Sequence, residues 1–117
     1  MTLFNKTISI VGGTGHVGLP LGLALSEKNF NVQLIDINKL NIDKVNNGKM
    51  PFLEEGAEKI LKKNIKKNIF ASNKVDLLKK SKYVIICIGT PVNKKLKPET
   101  KKFLNFFKKL NKIISKD

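Results

Sequence analysis

The sequence predicts a doubly wound α/β fold, a parallel sheet with helices on both faces that is truncated after about four strands. Three observations predict it. Short β-branched runs alternate with helical apolar patterns along the chain, a glycine-rich turn directly follows the first run and opens a helix, and a carboxylate ends the second run. Strands separated by helices demand parallel pairing through right-handed crossovers, which gives the expected strand order 3-2-1-4.

The elements follow in order. Thr7-Ile8-Ser9-Ile10-Val11 is a β-branched run that stops at Gly12-Gly13, as a buried parallel strand does on entering a tight turn. Residues 15–28 carry Val17, Leu19, Leu21, Leu23, Ala24 and Leu25 in the pattern of a helix packed on a sheet, with Pro20 tolerable because it falls in the first turn. Asn29-Phe30-Asn31 breaks that helix, and residues 32–36 read as a second strand ending in Asp36. A helix over 39–46 has Leu40, Ile42 and Val45 as its apolar positions and Asn47-Gly48 as its stop. Met50-Pro51-Phe52-Leu53 is a connector to a lysine-studded helix over 54–67, with Ala57, Ile60, Leu61 and Ile65 inward and Glu54 and Glu55 favouring the dipole at its start. A weak strand over 69–72 and a short helix over 75–80 lead to the strongest strand, 83–88, which ends at Gly89-Thr90-Pro91. After a polar loop over 93–98, residues 101–116 form an amphipathic helix with Phe103, Phe106, Phe107, Leu110, Ile113 and Ile114 on one face.

A chain of 117 residues has room for one core, so residues 1–117 are read as a single domain, short for an enzyme that must hold both a cofactor and a substrate. No apolar run approaches the roughly 20 residues of a membrane span, and no basic leader or cleavage site precedes the first strand, so neither a membrane nor export is expected. The single cysteine, Cys87, excludes an internal disulfide and suits a reducing cytoplasm. Cys87 lies in the last apolar strand and reads as a small packed thiol rather than a nucleophile.

The net charge of +14 raises the question of nucleic acid, but the composition argues against it. All 23 basic residues are lysine, whereas base reading usually relies on arginine forks, and abundant Asn and Ile point to a bias towards A- and T-rich codons. Residues 1–57 balance five lysines against five acids, so the whole excess lies in residues 58–117, away from the glycine turn.

Gly13-Thr14-Gly15-His16-Val17-Gly18 satisfies G-x-G-x-x-G directly after a strand and at the opening of a helix, the context in which the motif binds a dinucleotide. The first glycine is expected to permit the tight turn, the second to let the backbone approach a pyrophosphate, and the third to let the helix pack closely. Helix N-terminal amides then face the anion. Asp36, 18 residues beyond Gly18, is placed to accept hydrogen bonds from the adenosine ribose and to repel a 2′-phosphate, so NAD is expected over NADP. Lys39 is close enough in sequence to accommodate that phosphate if its side chain turns inward. Gly89-Thr90-Pro91 falls at the switch point beside the first strand, where the Thr90 hydroxyl or backbone can reach a cofactor or simply end the strand. His16, the single histidine, borders the loop without an orienting acid, and no catalytic residue or metal set is expected.

These residues resemble the N-terminal NAD-binding domain of the UDP-glucose/GDP-mannose (nucleotide-sugar) dehydrogenase family. The resemblance covers residues 7–117 and rests on the run from Ile10 to Gly22, on Asp36-Ile37-Asn38, on Val45-Asn46-Asn47-Gly48 with Pro51-Phe52-Leu53-Glu54-Glu55-Gly56, and on Ile88-Gly89-Thr90-Pro91. It implies a Rossmann-type domain that binds NAD through Gly13, Gly15, His16, Val17, Gly18, Asp36 and Thr90. The family often has a basic residue at the position of Asn41 and commonly a tyrosine at that of His16, departures that bear on cofactor affinity rather than on the fold. It further implies oxidation of a nucleotide sugar at C6, with the catalytic and nucleotide-sugar domains expected beyond residue 117. A nucleotide sugar is therefore a partner only where those domains are present, and the open edge of the last strand invites a protein partner.

Other readings remain at this stage. Gly12, Gly15 and Gly18 also fit the G-x-x-G-x-x-G of extended short-chain dehydrogenases and epimerases, but Tyr83 is followed four residues later by Cys87 rather than by the lysine of that family's catalytic pair. A stand-alone nucleotide-binding or regulatory module, or a truncated gene product, would carry the same motifs.

Overall fold

The computed structural model describes residues 6–88 and Lys108. Within them the strands β1 (Thr7–Val11), β2 (Asn31–Ile35), β3 (Ile69–Ser72) and β4 (Tyr83–Ile86) form one sheet in the order β3-β2-β1-β4. Every pair is parallel, with Ile10 opposite Leu34 and Ile85, and Leu34 opposite Ala71. The helices are α1 (Gly18–Glu27), α2 (Lys39–Asn46) and α3 (Ala57–Asn64), and a 3₁₀ helix spans Val75–Lys80.

Alternation along the strands divides the core. On one face Ile8, Ile10, Val32, Leu34, Ile69 and Ala71 pack with Leu19 and Leu23 of α1, Ile42 and Val45 of α2, and Ala57 and Leu61 of α3. On the other, Val11 and Ile35 pack against Leu78 of the 3₁₀ helix, with Val84 and Ile86 partly buried beside them. Gln33 crosses this second face, its amide donating to the Ser9 and Ser81 hydroxyls and to the Leu77 carbonyl at 2.9, 2.9 and 3.1 Å. A buried glutamine thus ties two strands to the crossover without leaving its amide nitrogen unpaired.

Strand order and element order match the sequence reading, and several boundaries move for physical reasons. The first helix begins at Gly18 rather than at residue 15, leaving Val17 68% exposed and Ala24 also on the solvent side. Leu40 is exposed, so the core side of α2 rests on Ile42 and Val45 alone. The third helix begins at Ala57 because Gly56 takes a left-handed φ of +79°, which keeps Glu54 and Glu55 outside its first turn. The β4 strand stops at Ile86, leaving Cys87 half-buried just past it. The expected helix over 101–116 and the turn Gly89-Thr90-Pro91 lie outside the described residues.

Candidate dinucleotide site

The site forms where β1, β2 and β4 end and α1 begins. The chain turns out of β1 at Gly12, whose φ is +80°, while the amides of Gly12 and Gly13 both donate to the Ile35 carbonyl at 2.8 and 3.2 Å. The left-handed residue of the turn is therefore Gly12, one position before the motif, with Gly13 following it inside the same turn. The role of Gly13 is close approach, since a Cβ there would lie 2.7 Å from the Leu34 Cα on β2. Gly18 has the expected role: a Cβ would collide with the Gly12 carbonyl oxygen and stand 3.0 Å from the Gly13 Cα. By contrast, a Cβ on Gly15 meets only the Gly12 carbonyl oxygen, at 3.5 Å. Fold packing thus requires Gly13 and Gly18, while among the described residues only the Gly12 carbonyl oxygen approaches the space over Gly15.

The start of α1 has the electrostatics of an anion site. The Gly15 amide bonds back to the Gly12 carbonyl at 3.2 Å, and regular helical bonding starts with Leu19 donating to Gly15 at 3.1 Å. Between them the amides of His16, Val17 and Gly18 make no hydrogen bond among the described residues, and Val17 at the N-cap supplies no side-chain cap. Unpaired amides at the positive end of a helix dipole favour a negatively charged group.

Asp36 stands one residue past β2, half-buried and held in place. Its Oδ2 accepts from the Thr14 amide at 3.0 Å and from the Thr14 hydroxyl at 2.7 Å, and its Oδ1 accepts from the Asn38 amide at 3.1 Å. A carboxylate offers about four acceptor positions, so one remains for a ligand hydroxyl. Thr14, one of the unspecified positions of the motif, is buried and joins the glycine turn to the carboxylate. Its carbonyl also receives Asn41 Nδ2 at 3.5 Å, which places α2 against the same turn. Lys39 is exposed at the first residue of α2.

His16 stacks on Phe52, ring centroids 4.1 Å apart and planes 25° from parallel, so the connector between α2 and α3 rests against the glycine turn. Thr14 and Phe52 are the two site residues that motif reading missed. A threonine at an unspecified motif position carries no sequence signal of a buried partner. Phe52 had one faint signal, its place in the Pro51–Gly56 stretch on which the family resemblance partly rests. The structure brings Gly13, Gly15, His16, Val17, Gly18 and Asp36 to one end of the sheet, while Thr90 lies outside the described residues.

The model of the UDP-glucose/GDP-mannose dehydrogenase family, NAD binding domain, matches residues 6–117. An uncharacterized protein of Methanocaldococcus jannaschii is 34% identical over 110 residues, which cover 94% of this chain and 12% of that protein. The UDP-glucose 6-dehydrogenase YwqF of Bacillus subtilis is 30% identical over 107 residues, 90% of this chain and 24% of its own. Among solved structures, a ternary complex of GDP-mannose dehydrogenase from Pseudomonas aeruginosa aligns with a TM-score of 0.76 at 28% identity, covering 92% of this chain and 24% of that one. The chain therefore spans less than a quarter of the length of these relatives.

Proposed function

Since this chain belongs to the UDP-glucose/GDP-mannose dehydrogenase family, matching its NAD-binding domain, we propose that it binds NAD, in preference to NADP, at the glycine turn. The observation that carries this reading is the set of three amides at His16, Val17 and Gly18 that make no hydrogen bond among the described residues, beside a turn whose Gly15 has open space over it among those residues and whose neighbouring carboxylate is fixed by Thr14.

In this reading the pyrophosphate sits on the three amides, where no side-chain cap competes for them. The remaining acceptor position of Asp36 takes a hydroxyl of the adenosine ribose, and its charge repels the 2′-phosphate of NADP. Two exposed apolar side chains, Val17 beside the amides and Ile37 beside the carboxylate, offer surface for a ring to cover. We add Thr90 to the proposed cofactor contacts on the strength of the Gly89-Thr90-Pro91 motif alone. Bound there, NAD would supply a hydride acceptor, and Gly13, Gly15, His16, Val17, Gly18 and Asp36 would hold and orient it.

The full reaction belongs to the larger protein that the relatives represent. For such a protein we assign oxidation of a nucleotide-sugar alcohol group to a carboxylate, in the cytoplasm, with the catalytic residues outside this chain. The described residues contain no helix long and apolar enough to cross a membrane.

The test is Asp36→Ala, titrated with NAD and with NADP. NAD affinity should fall by about tenfold, the equivalent of a lost charge-assisted hydrogen bond. NADP affinity should fall less, because repulsion of its phosphate is relieved at the same time. Equal weakening of both, or no change in either, removes Asp36 from the site.

A further inference from the structure

We infer a second ligand site at the opposite edge of the sheet, where the strands begin, for a small amphiphilic anion consisting of an aromatic ring that bears a phosphate. A cavity of about 240 Å³ opens there, lined by Lys66, Lys67, Lys80, Asn31, Ile69 and Phe70 among others. Nothing in the cofactor reading uses it. Asn31 begins β2 and Asp36 stands one residue past its end, about 16 Å away in extended chain.

The charge is the first argument. Lys66 and Lys67 come from the turn between α3 and β3, and Lys80 ends the 3₁₀ helix on the other side, so cations from two separate segments converge on one opening. Among the described residues no Asp or Glu lines it, and none of the three ammonium groups forms an ion pair. By comparison, Lys62 and Lys63 on the preceding helix pair with Glu58 and Glu27. Lys66 is also held at a φ of +66°, a conformation uncommon outside glycine and asparagine, with its amide tied to the Ile69 carbonyl at 3.1 Å. That turn sets both Lys66 and Lys67 at the rim of the same opening, where an anion would meet both.

The apolar wall is the second argument, and it decides the class of anion. Phe70 is 39% exposed although it lies within a strand, and it supplies the apolar side of the opening, since Ile69 and Val32 at the same rim are buried in the core. An inorganic anion would leave that surface wet, whereas a ring laid on Phe70 covers it while its phosphate reaches the lysines. The volume lies just below the usual range of small-molecule pockets, which fits one ring and one phosphate rather than a polymer.

The probe is phenyl phosphate, followed by amide chemical shifts of the 117-residue chain, with inorganic phosphate titrated in parallel. Saturable shifts are expected over residues 66–70 and at Lys80, with the glycine turn unmoved, and phenyl phosphate should bind several-fold more tightly than phosphate. Lys67→Ala and Lys80→Ala, both at exposed positions, should each weaken binding about two- to fivefold, the range of a solvent-exposed ion pair. Phe70→Thr should bring phenyl phosphate down to the affinity of inorganic phosphate. The inference is overturned by an absence of saturable shifts in this region, by equal affinity for the two probes, or by binding that ignores the lysine substitutions in variants whose melting temperature is unchanged.

Discussion

A threonine at a motif position that specifies no residue type fixes the one carboxylate to which we assign the proposed preference for NAD over NADP. The Thr14 hydroxyl gives Asp36 a 2.7 Å bond from a buried position, and the Thr14 amide adds a second bond to the same oxygen. Thr14→Val keeps the shape and the amide but removes the hydroxyl, so it should cost about 1–2 kcal/mol of stability. It should also weaken NAD, because Asp36 loses one of its two anchors on Oδ2. Denaturant melts and a titration of the same variant measure both effects, and a loss of affinity without any loss of stability would mean that Thr14 acts on the ligand directly. The glycine spacing and Asp36 were legible in the sequence because few residue types can replace them. Thr14 and the His16–Phe52 stack were not, since each depends on a partner more than 20 residues away and on which way a side chain turns.

Among the elements, side chains complete bonding that the backbone leaves open. Ala71 faces away from β2 on the edge strand β3, and its amide and carbonyl are both taken by the Asn46 side chain at 2.9 Å. Asn46→Ala leaves that donor and acceptor to water and should destabilise the chain by about 1–3 kcal/mol, a loss visible as a lower thermal midpoint with the fold retained. The helices α1 and α3 are joined by Asn64 bonding the Ser26 hydroxyl at 3.2 Å and by Lys63 meeting Glu27 at 3.2 Å. The bond from Asn64, then the bond and charge of Lys63, hold the Glu27 carboxyl below the usual carboxylate range, with partial desolvation acting in the opposite direction. A carboxylate whose pKa is lower in the folded chain contributes stability above its unfolded pKa of about 4.3 and loses it as the pH falls through the folded value. Glu27→Gln should therefore narrow the stability gap with the parent chain as the pH drops below about 4, with the difference largest near neutrality. An unchanged gap across that range would show that the pair does not couple to folding. Element order was legible because strand and helix periods differ; the boundaries shifted where a single residue decided them, as Gly56 does for α3.

At the scale of the whole molecule, the two ends of the sheet present different groups. Among the described residues, the ends of β1 and β2 carry amides without a hydrogen-bond partner and a fixed carboxylate, while the beginnings of β1, β2 and β3 carry lysines without an ion pair around an exposed phenylalanine. Strand order 3-2-1-4 was legible because right-handed crossovers leave few alternatives for this alternation of elements. The lysine basin was not, because lysines at helical spacing read as a solvated face until the chain fold shows which of them converge.

The most direct test of the account is a chemical-shift titration of the 117-residue chain with NAD. The amides of His16, Val17 and Gly18 should move most, as the groups that meet the pyrophosphate, with saturation at lower concentration for NAD than for NADP. Unmoved amides at these three positions in a folded chain, or a saturable response confined to residues 66–70, would contradict the assignment of the glycine turn as the cofactor site.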